Sequence, residues 1–344
     1  MSDTSGQNGP VDTDDPGGQS PAESQVPEPA PRKRRGLRIT LVLLASLVVF
    51  LGVVAVGVYL LVNHLAGGIH RTPVKVAKPV GKAITILITG AGISPSGKLI
   101  AKPTLNSSGL IILLHINADG RTGGVVSIPP LAIVPVPGHG QTQINHALAY
   151  GGPSLLVQTV DQLSHVPINH YAEIDFTHVG SVINIVGGVN VTLPKKATAF
   201  GYSFPAGVNH LNGLTAVYYA RQKSLTENGR VLRQQSLIRA LADTLANGHL
   251  LTNPVTMYNV IKSFTSLLTV DTDFTNAEVT KFATQFGTLN SKAGVFLTVP
   301  TVTVAGKVYV NSSMSDPLWT ALRKNSIAAF AKKYPSTVTP PAPS

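Results

Sequence analysis

From Ile39 to Val62 the chain reads ITLVLLASLVVFLGVVAVGVYLLV, with no charged residue in the run. A helix crosses the hydrocarbon core of a bilayer with about 20 apolar residues, so this run is long enough to span. A buried core helix is the competing reading. Against it, Arg32, Lys33, Arg34, Arg35 and Arg38 stand directly before the run and no cation follows closely after Val62. That asymmetry predicts the N-terminal side inside and residues 64–344 outside. A cleaved signal peptide fits poorly, because the run is too long and begins too far from residue 1. The expectation is a single-pass protein of the cell membrane, its N-terminus cytoplasmic and its main domain extracellular.

The rest of the composition divides around that run. Residues 1–38 are rich in Pro, Gly, Ser and acids, and such a segment buries too little apolar surface to offset the entropy of ordering; a disordered tail is expected. The tail holds six acids and five bases, which leaves ten acids and 22 bases after it, a net of +12. A basic outer domain at a membrane attracts anionic headgroups, phosphates or acidic polymers. Nucleic acid is excluded as a partner, because the charge lies on the wrong side of the membrane and no DNA-reading motif is present. Cysteine is absent, so disulfides, thiolate metal sites and a cysteine nucleophile are excluded.

Residues 64–81, with spaced prolines and lysines, read as a linker. Ala83–Thr89, Leu110–Ile116, Val125–Ile128, Tyr171–Phe176 and Val189–Leu193 read as strands, with a Gly-rich turn at Gly90-Ala91-Gly92. Helical spacing begins at Pro153, at His178 and at about Gly229. Strands alternating with helices indicate an α/β domain whose sheet is covered on both faces. The C-terminal PSTVTPPAPS reads as a disordered tail.

The chemistry concentrates in Asn228-Gly-Arg230-Val-Leu-Arg233-Gln234-Gln235, with Arg221 and Lys223 just upstream. Arginine forks match phosphate oxygens bidentately, and a helix N-terminus adds free N–H groups; the block reads as a pyrophosphate clamp on a loop and the first turn of a helix. The bland alternative is a solvated helix face. Gly90-Ala91-Gly92 is a poor dinucleotide loop, because Pro95 stands at the third glycine position. No serine lies in a nucleophile elbow. His115, inside an apolar strand, reads as a satisfied core histidine. Glu173 and Asp175 alternate on a strand and share a face, which allows either acid–base work or a structural role.

The succession LLHIN, VVSIP, INHALAYGGP, INHYAEIDF, GGVNV, LNGLTAVYYAR and GRVLRQQ resembles the extracellular LytR-CpsA-Psr domain of Gram-positive bacteria, from about Lys82 to Leu322. The resemblance implies a three-layer α-β-α domain with a central mixed sheet after one N-terminal transmembrane helix. Domain limits are then 1–38 tail, 39–63 membrane helix, 64–81 linker, 82–325 extracellular domain and 326–344 extension. The implied activity moves a glycopolymer from polyprenyl pyrophosphate to peptidoglycan, with arginines on the pyrophosphate and a magnesium ion carried by aspartates. By that match Arg221, Lys223, Arg230, Arg233 and Gln234 bind the lipid pyrophosphate, and Gln235 also matches. The family's acids are replaced: Gly92 and Ser94 stand for an Asp and an Arg, Ser107-Ser108-Gly109-Leu110 for Arg-Ser-Asp-Thr, and Pro129-Pro130-Leu131 for Pro-Arg-Asp. The alternative that these replacements raise is a non-catalytic polyprenyl-(pyro)phosphate-binding scaffold or regulator of envelope assembly. A transcriptional role is discounted, since the only candidate reader helix lies outside the membrane.

Overall fold

The computed structural model describes residues 68–79, 81–91, 109–222, 227–247, 254–279 and 294–339. Along the chain, the strand β1 (His70–Thr72) is followed by β2 (Ile84–Ala91), β3 (Ile111–Ile116), β4 (Gly123–Ser127), β5 (Ile133–Val136) and β6 (Gly140–Gln143). The first helix, α1 (His146–Ser164), is two straight pieces: Gly151 and Gly152 leave the helical region, and Pro153 opens the second piece. Proline there has a fixed φ and no N–H to waste, as the sequence predicts. Then come β7 (His170–Asp175), α2 (Phe176–Ile185), β8 (Val189–Leu193), β9 (Ala197–Ala199), β10 (Tyr202–Phe204), β11 (Gly207–Leu211) and α3 (Gly213–Ala220). The remainder is α4 (Glu227–Asn247), α5 (Pro254–Leu267), β12 (Leu268–Asp271), β13 (Gly294–Thr298), β14 (Thr301–Val304), β15 (Lys307–Val310), α6 (Ser312–Arg323) and α7 (Ile327–Lys333).

Seven strands form one sheet in the order β1-β12-β7-β2-β3-β4-β13. The pairs β1–β12, β2–β7 and β4–β13 are parallel and the others antiparallel, so the sheet is mixed. β3 is buried at all six positions of IILLHI. A strand with both faces covered needs no polar alternation, and its apolar run is what the sequence shows. On one face Leu87, Leu113, Val126 and Tyr171 pack against Leu156 and Val160 of α1, Trp319 and Leu322 of α6, and Ile327 of α7. On the other, Ile86, Ile112, Leu114, Val125 and Ala172 pack with Phe176 of α2 and Ile238 of α4. A further cluster fills the space among α2, α3, α4, α5 and the β8–β11 pair, with Ile183, Val189, Tyr219, Leu237 and Val260.

Several local expectations are corrected. The strand β2 runs through Gly90 to Ala91 rather than turning there. Gly90 is needed for packing: a Cβ on it would lie 2.5 Å from the Phe176 ring. Within the segment read as a linker, β1 pairs with β12, and Ile69 and Val74 are buried. Within the C-terminal end read as a disordered tail, Thr339 is docked on the domain: its N–H donates to the Phe296 carbonyl at 2.8 Å and its hydroxyl donates to Gln235 Oε1. Its prolines offered no sign of that docking, because both partners lie far back in the chain, Gln235 by 104 residues. Among the described residues no helix is long and apolar enough to cross a membrane. The run Ile39–Val62, like the tail before it, lies outside the described residues.

Candidate functional site

Tyr218 and Tyr219, at the end of α3, organise the clamp region. Arg221 follows as the C-terminal cap of α3, its N–H donating to the Tyr218 carbonyl at 3.2 Å. Its guanidinium lies over the Phe200 ring, 4.9 Å from the centroid. Phe200 in turn stacks on Tyr218, with centroids 5.0 Å apart. The second arginine, Arg233, lies over the Tyr219 ring at 4.6 Å. Tyr219 also meets Phe204 edge-on at 6.1 Å. The β9–β10 hairpin therefore packs against both tyrosines, and Phe200 and Tyr219 each carry one of the two arginines.

Burial lowers the pKa of both Arg221 and Arg233 from the ordinary arginine value, with the nearby tyrosine opposing the shift in each case. An arginine remains a cation under these conditions. What burial does is raise the free energy of a cation, and an anion that supplies hydrogen bonds relieves it. The Arg233 Nη1 is buried with no hydrogen-bond partner among the described residues, and so is Gln234 Oε1. Buried donors without partners are uncommon in folded proteins. An orphaned guanidinium N–H on a desolvated cation suits a phosphate oxygen.

The remaining residues of the block separate. Arg230 is half-buried one turn before Arg233. The helix α4 begins at Glu227, so Arg230 closes its first turn and Arg233 stands in the second. Gln234 is buried and its Nε2 donates to the Gly109 carbonyl at 3.2 Å. Gln235, completely buried, donates to Ser127 Oγ at 2.6 Å and the Leu297 carbonyl at 2.7 Å. It ties α4 to the neighbouring strands β4 and β13, and its amide is fully used by the fold. Lys223 lies outside the described residues.

The magnesium that the resemblance implies finds no fit. Gly109 and Leu131 occupy two of the positions where the family has acids, and neither has a side-chain oxygen to offer a hard cation. The Gly109 carbonyl already accepts from Gln234. Among the described residues no group of three or more His, Cys, Asp or Glu could hold a metal ion. Gly92, Ser94, Ser107 and Ser108 lie outside the described residues. Glu173 and Asp175 share a face, as the alternation predicts. They alternate with Ala172, however, which packs on the face that α4 covers, so they look away from the clamp. Glu173 accepts from the Tyr171 hydroxyl at 3.3 Å and Asp175 pairs with His178 at 2.9 Å. His115 is buried and bonded to Thr85 at 2.9 Å and Asn325 at 3.3 Å, the satisfied core histidine expected.

The aromatic frame (Phe200, Tyr202, Tyr218 and Tyr219) was not among the sequence candidates. Its signal was present: Gly201 breaks the alternating ATAFGYSF into a hairpin, and Tyr218 stands three residues before Arg221, one helical turn away. The two cavities described here, about 510 Å³ between residues 75–77 and α1 and about 440 Å³ between α6 and α7, are not lined by the clamp arginines.

The chain as a whole is similar to known proteins. The chain is 29% identical over 222 residues to the polyisoprenyl-teichoic acid–peptidoglycan teichoic acid transferase TagU of Bacillus cereus, covering 61% of this chain and 71% of that one. It is 32% identical over 164 residues to the probable cell wall biosynthesis protein LcpB of Corynebacterium glutamicum, covering 46% of this chain but 39% of that protein's length. The fold is that of the crystal structure of B. subtilis TagV, with a TM-score of 0.58 at 23% identity, over 72% of this chain and 98% of that one. A sequence profile of the LytR_cpsA_psr family matches residues 64–326, most of the chain. The chain belongs to the LytR_cpsA_psr family.

Proposed function

We propose that the protein is a cell-wall glycopolymer transferase of the LytR-CpsA-Psr type. It takes a glycopolymer from a polyprenyl-pyrophosphate carrier and passes it to peptidoglycan on the outer side of the membrane. Support comes from the relatives named teichoic acid transferases. The observation that carries the reading is the buried Arg233 Nη1, without a hydrogen-bond partner among the described residues, on a desolvated guanidinium beside Tyr219. Arg221, Lys223, Arg230 and Gln234 are proposed to complete the grip on the pyrophosphate. In such a reaction the arginines hold the two phosphoryl groups and balance the charge that shifts onto the leaving lipid phosphate. No step is routed through a metal ion, because the described residues do not supply its ligands.

One observation favours a second reading, a scaffold that binds the lipid pyrophosphate without turning it over. Gly109 and Leu131 stand at two family acid positions, and the strand acids Glu173 and Asp175 look away from the clamp. The two readings separate in one experiment. Purified full-length protein in detergent is given a polyprenyl-pyrophosphate-linked saccharide and a peptidoglycan acceptor, with and without magnesium. Release of lipid phosphate with coupled product supports transfer. Tight binding without release, unchanged by EDTA, supports the scaffold. Failure to bind the lipid at all overturns both. The membrane anchor and outward domain belong to the same proposal and rest on the apolar run and its flanking cations.

A further inference from the structure

Phe200 has φ +52° and Gly201 φ +82°, at the two-residue tip between β9 and β10. A hairpin of this kind requires positive φ at both central residues, and asparagine or glycine ordinarily takes the first of them. A phenylalanine there is an outlier, and a conformation of that kind persists where the surroundings use it. Phe200 and Tyr202 remain 41% and 42% exposed, large fractions for aromatic rings. Both rings lean on Tyr218, at centroid distances of 5.0 Å and 5.2 Å. Arg221 closes the inner side of the group, stacked on Phe200. The result is a cluster of three rings reached by solvent, Phe200 stacked on Tyr218 and Tyr202 tilted at 48° to it, bordered by a desolvated cation.

One ligand chemistry matches both halves: a pyranose ring, which presents a face of C–H groups, esterified to phosphate. We propose that Phe200, Tyr202 and Tyr218 form a stacking platform for the first sugar after the pyrophosphate. This rests on the function proposed above and names the part of the ligand that the clamp does not hold. A membrane contact is the rival use of exposed rings, and Lys195 and Lys196 are exposed just before β9. A lipid-inserting tip leaves its side chains projecting into the bilayer. Here Phe200 stacks back on Tyr218 and against Arg221 instead of projecting outward, and its ring is still 41% exposed, which favours the sugar.

The test uses full-length protein in detergent, titrated by calorimetry with two probes: farnesyl pyrophosphate and farnesyl-pyrophosphoryl-N-acetylglucosamine. Wild type is compared with Phe200→Asn, which tolerates the left-handed backbone, and with Tyr202→Ala on the strand surface. The expected result is a preference of wild type for the sugar-bearing probe of about tenfold, the size of one good aromatic contact. Both variants lose that preference, and Tyr202→Ala, whose ring meets Tyr218 and not the arginine, keeps its affinity for farnesyl pyrophosphate. Equal affinity of wild type for the two probes, variants that retain the preference, or a Tyr202→Ala variant that weakens both probes alike overturn the platform and leave the clamp standing. Wild type that binds neither probe overturns the platform and the proposed function together. Vesicles of phosphatidylglycerol form the last arm. If the substitutions remove vesicle binding and leave the sugar preference intact, the hairpin is a membrane contact and the platform is overturned.

Discussion

On α4, Arg233 turns toward Tyr219 while Gln235, two positions on, points into the sheet and is completely buried. The sequence presents them as neighbours in one polar block, and only the phase of the helix separates them. Their substitutions should separate in the same way. Arg230→Ala with Arg233→Ala should weaken binding of a polyprenyl pyrophosphate by at least roughly tenfold, since a hydrogen bond to a charged group contributes about 1.5–3 kcal/mol. The folded domain should keep its stability, and a direct binding titration checks the loss. Gln235→Ala should do the reverse. It removes the link to Ser127, Leu297 and Thr339 and leaves buried groups unpaired, which costs about 3 kcal/mol. Urea unfolding of residues 64–344 measures that cost. The clustered cations of the proposed clamp were legible at this scale. The tyrosines beneath them were not, because an aromatic pair in a helix reads equally well as ordinary core.

Among the elements, α2 and α3 cross through a pair of glycines. A Cβ on Gly213 would run into the Gly180 carbonyl oxygen, a backbone atom with no rotamer to yield. The close crossing brings Tyr218 and Tyr219 to the clamp, so it matters beyond stability. Gly213→Ala should destabilise the domain by about 3 kcal/mol, at the upper end of overpacking costs, and should weaken pyrophosphate binding as α3 shifts. Thermal unfolding together with a binding titration tests this; an unchanged midpoint would refute the crossing. The main strands were readable because apolar runs such as LIILLHI belong to a sheet covered on both faces. The small sheet of β14, β15, β5 and β6 was not, since its strands have only four residues each and mixed burial. Its pairing joins Tyr309 to Ile133, far apart in the chain, which no local pattern encodes.

For the whole molecule, two predictions concern acidity and topology. Burial pushes the His115 imidazole below its ordinary value of 6.5, against a hydrogen bond to Asn325 Oδ1 that raises it. The unfolded chain therefore takes up a proton that the folded chain resists. This contribution to stability is whole above pH 6.5 and is lost as pH falls through the depressed folded value. Urea midpoints measured across that range should fall with pH in wild type, and His115→Gln should lack that component. The absence of cysteine makes topology testable with single introduced thiols. In intact cells an impermeant maleimide should label Val208→Cys, at a position 65% exposed, and should not label Ser5→Cys before lysis. Labelling of both, or of the tail alone, would remove the proposed orientation.

The linear chain was enough for the features that depend on local composition: an apolar run bounded by cations, buried strands, a knot of arginines and the family pattern. Strand order, the partition of Arg233 from Gln235, and the aromatic frame under the clamp depend on contacts between distant residues. The acids looking away from the clamp are the clearest case. Glu173 and Asp175 lie on one strand face in any reading, but which face α4 covers is set by how the apolar surfaces on either side of the sheet are shared among the helices.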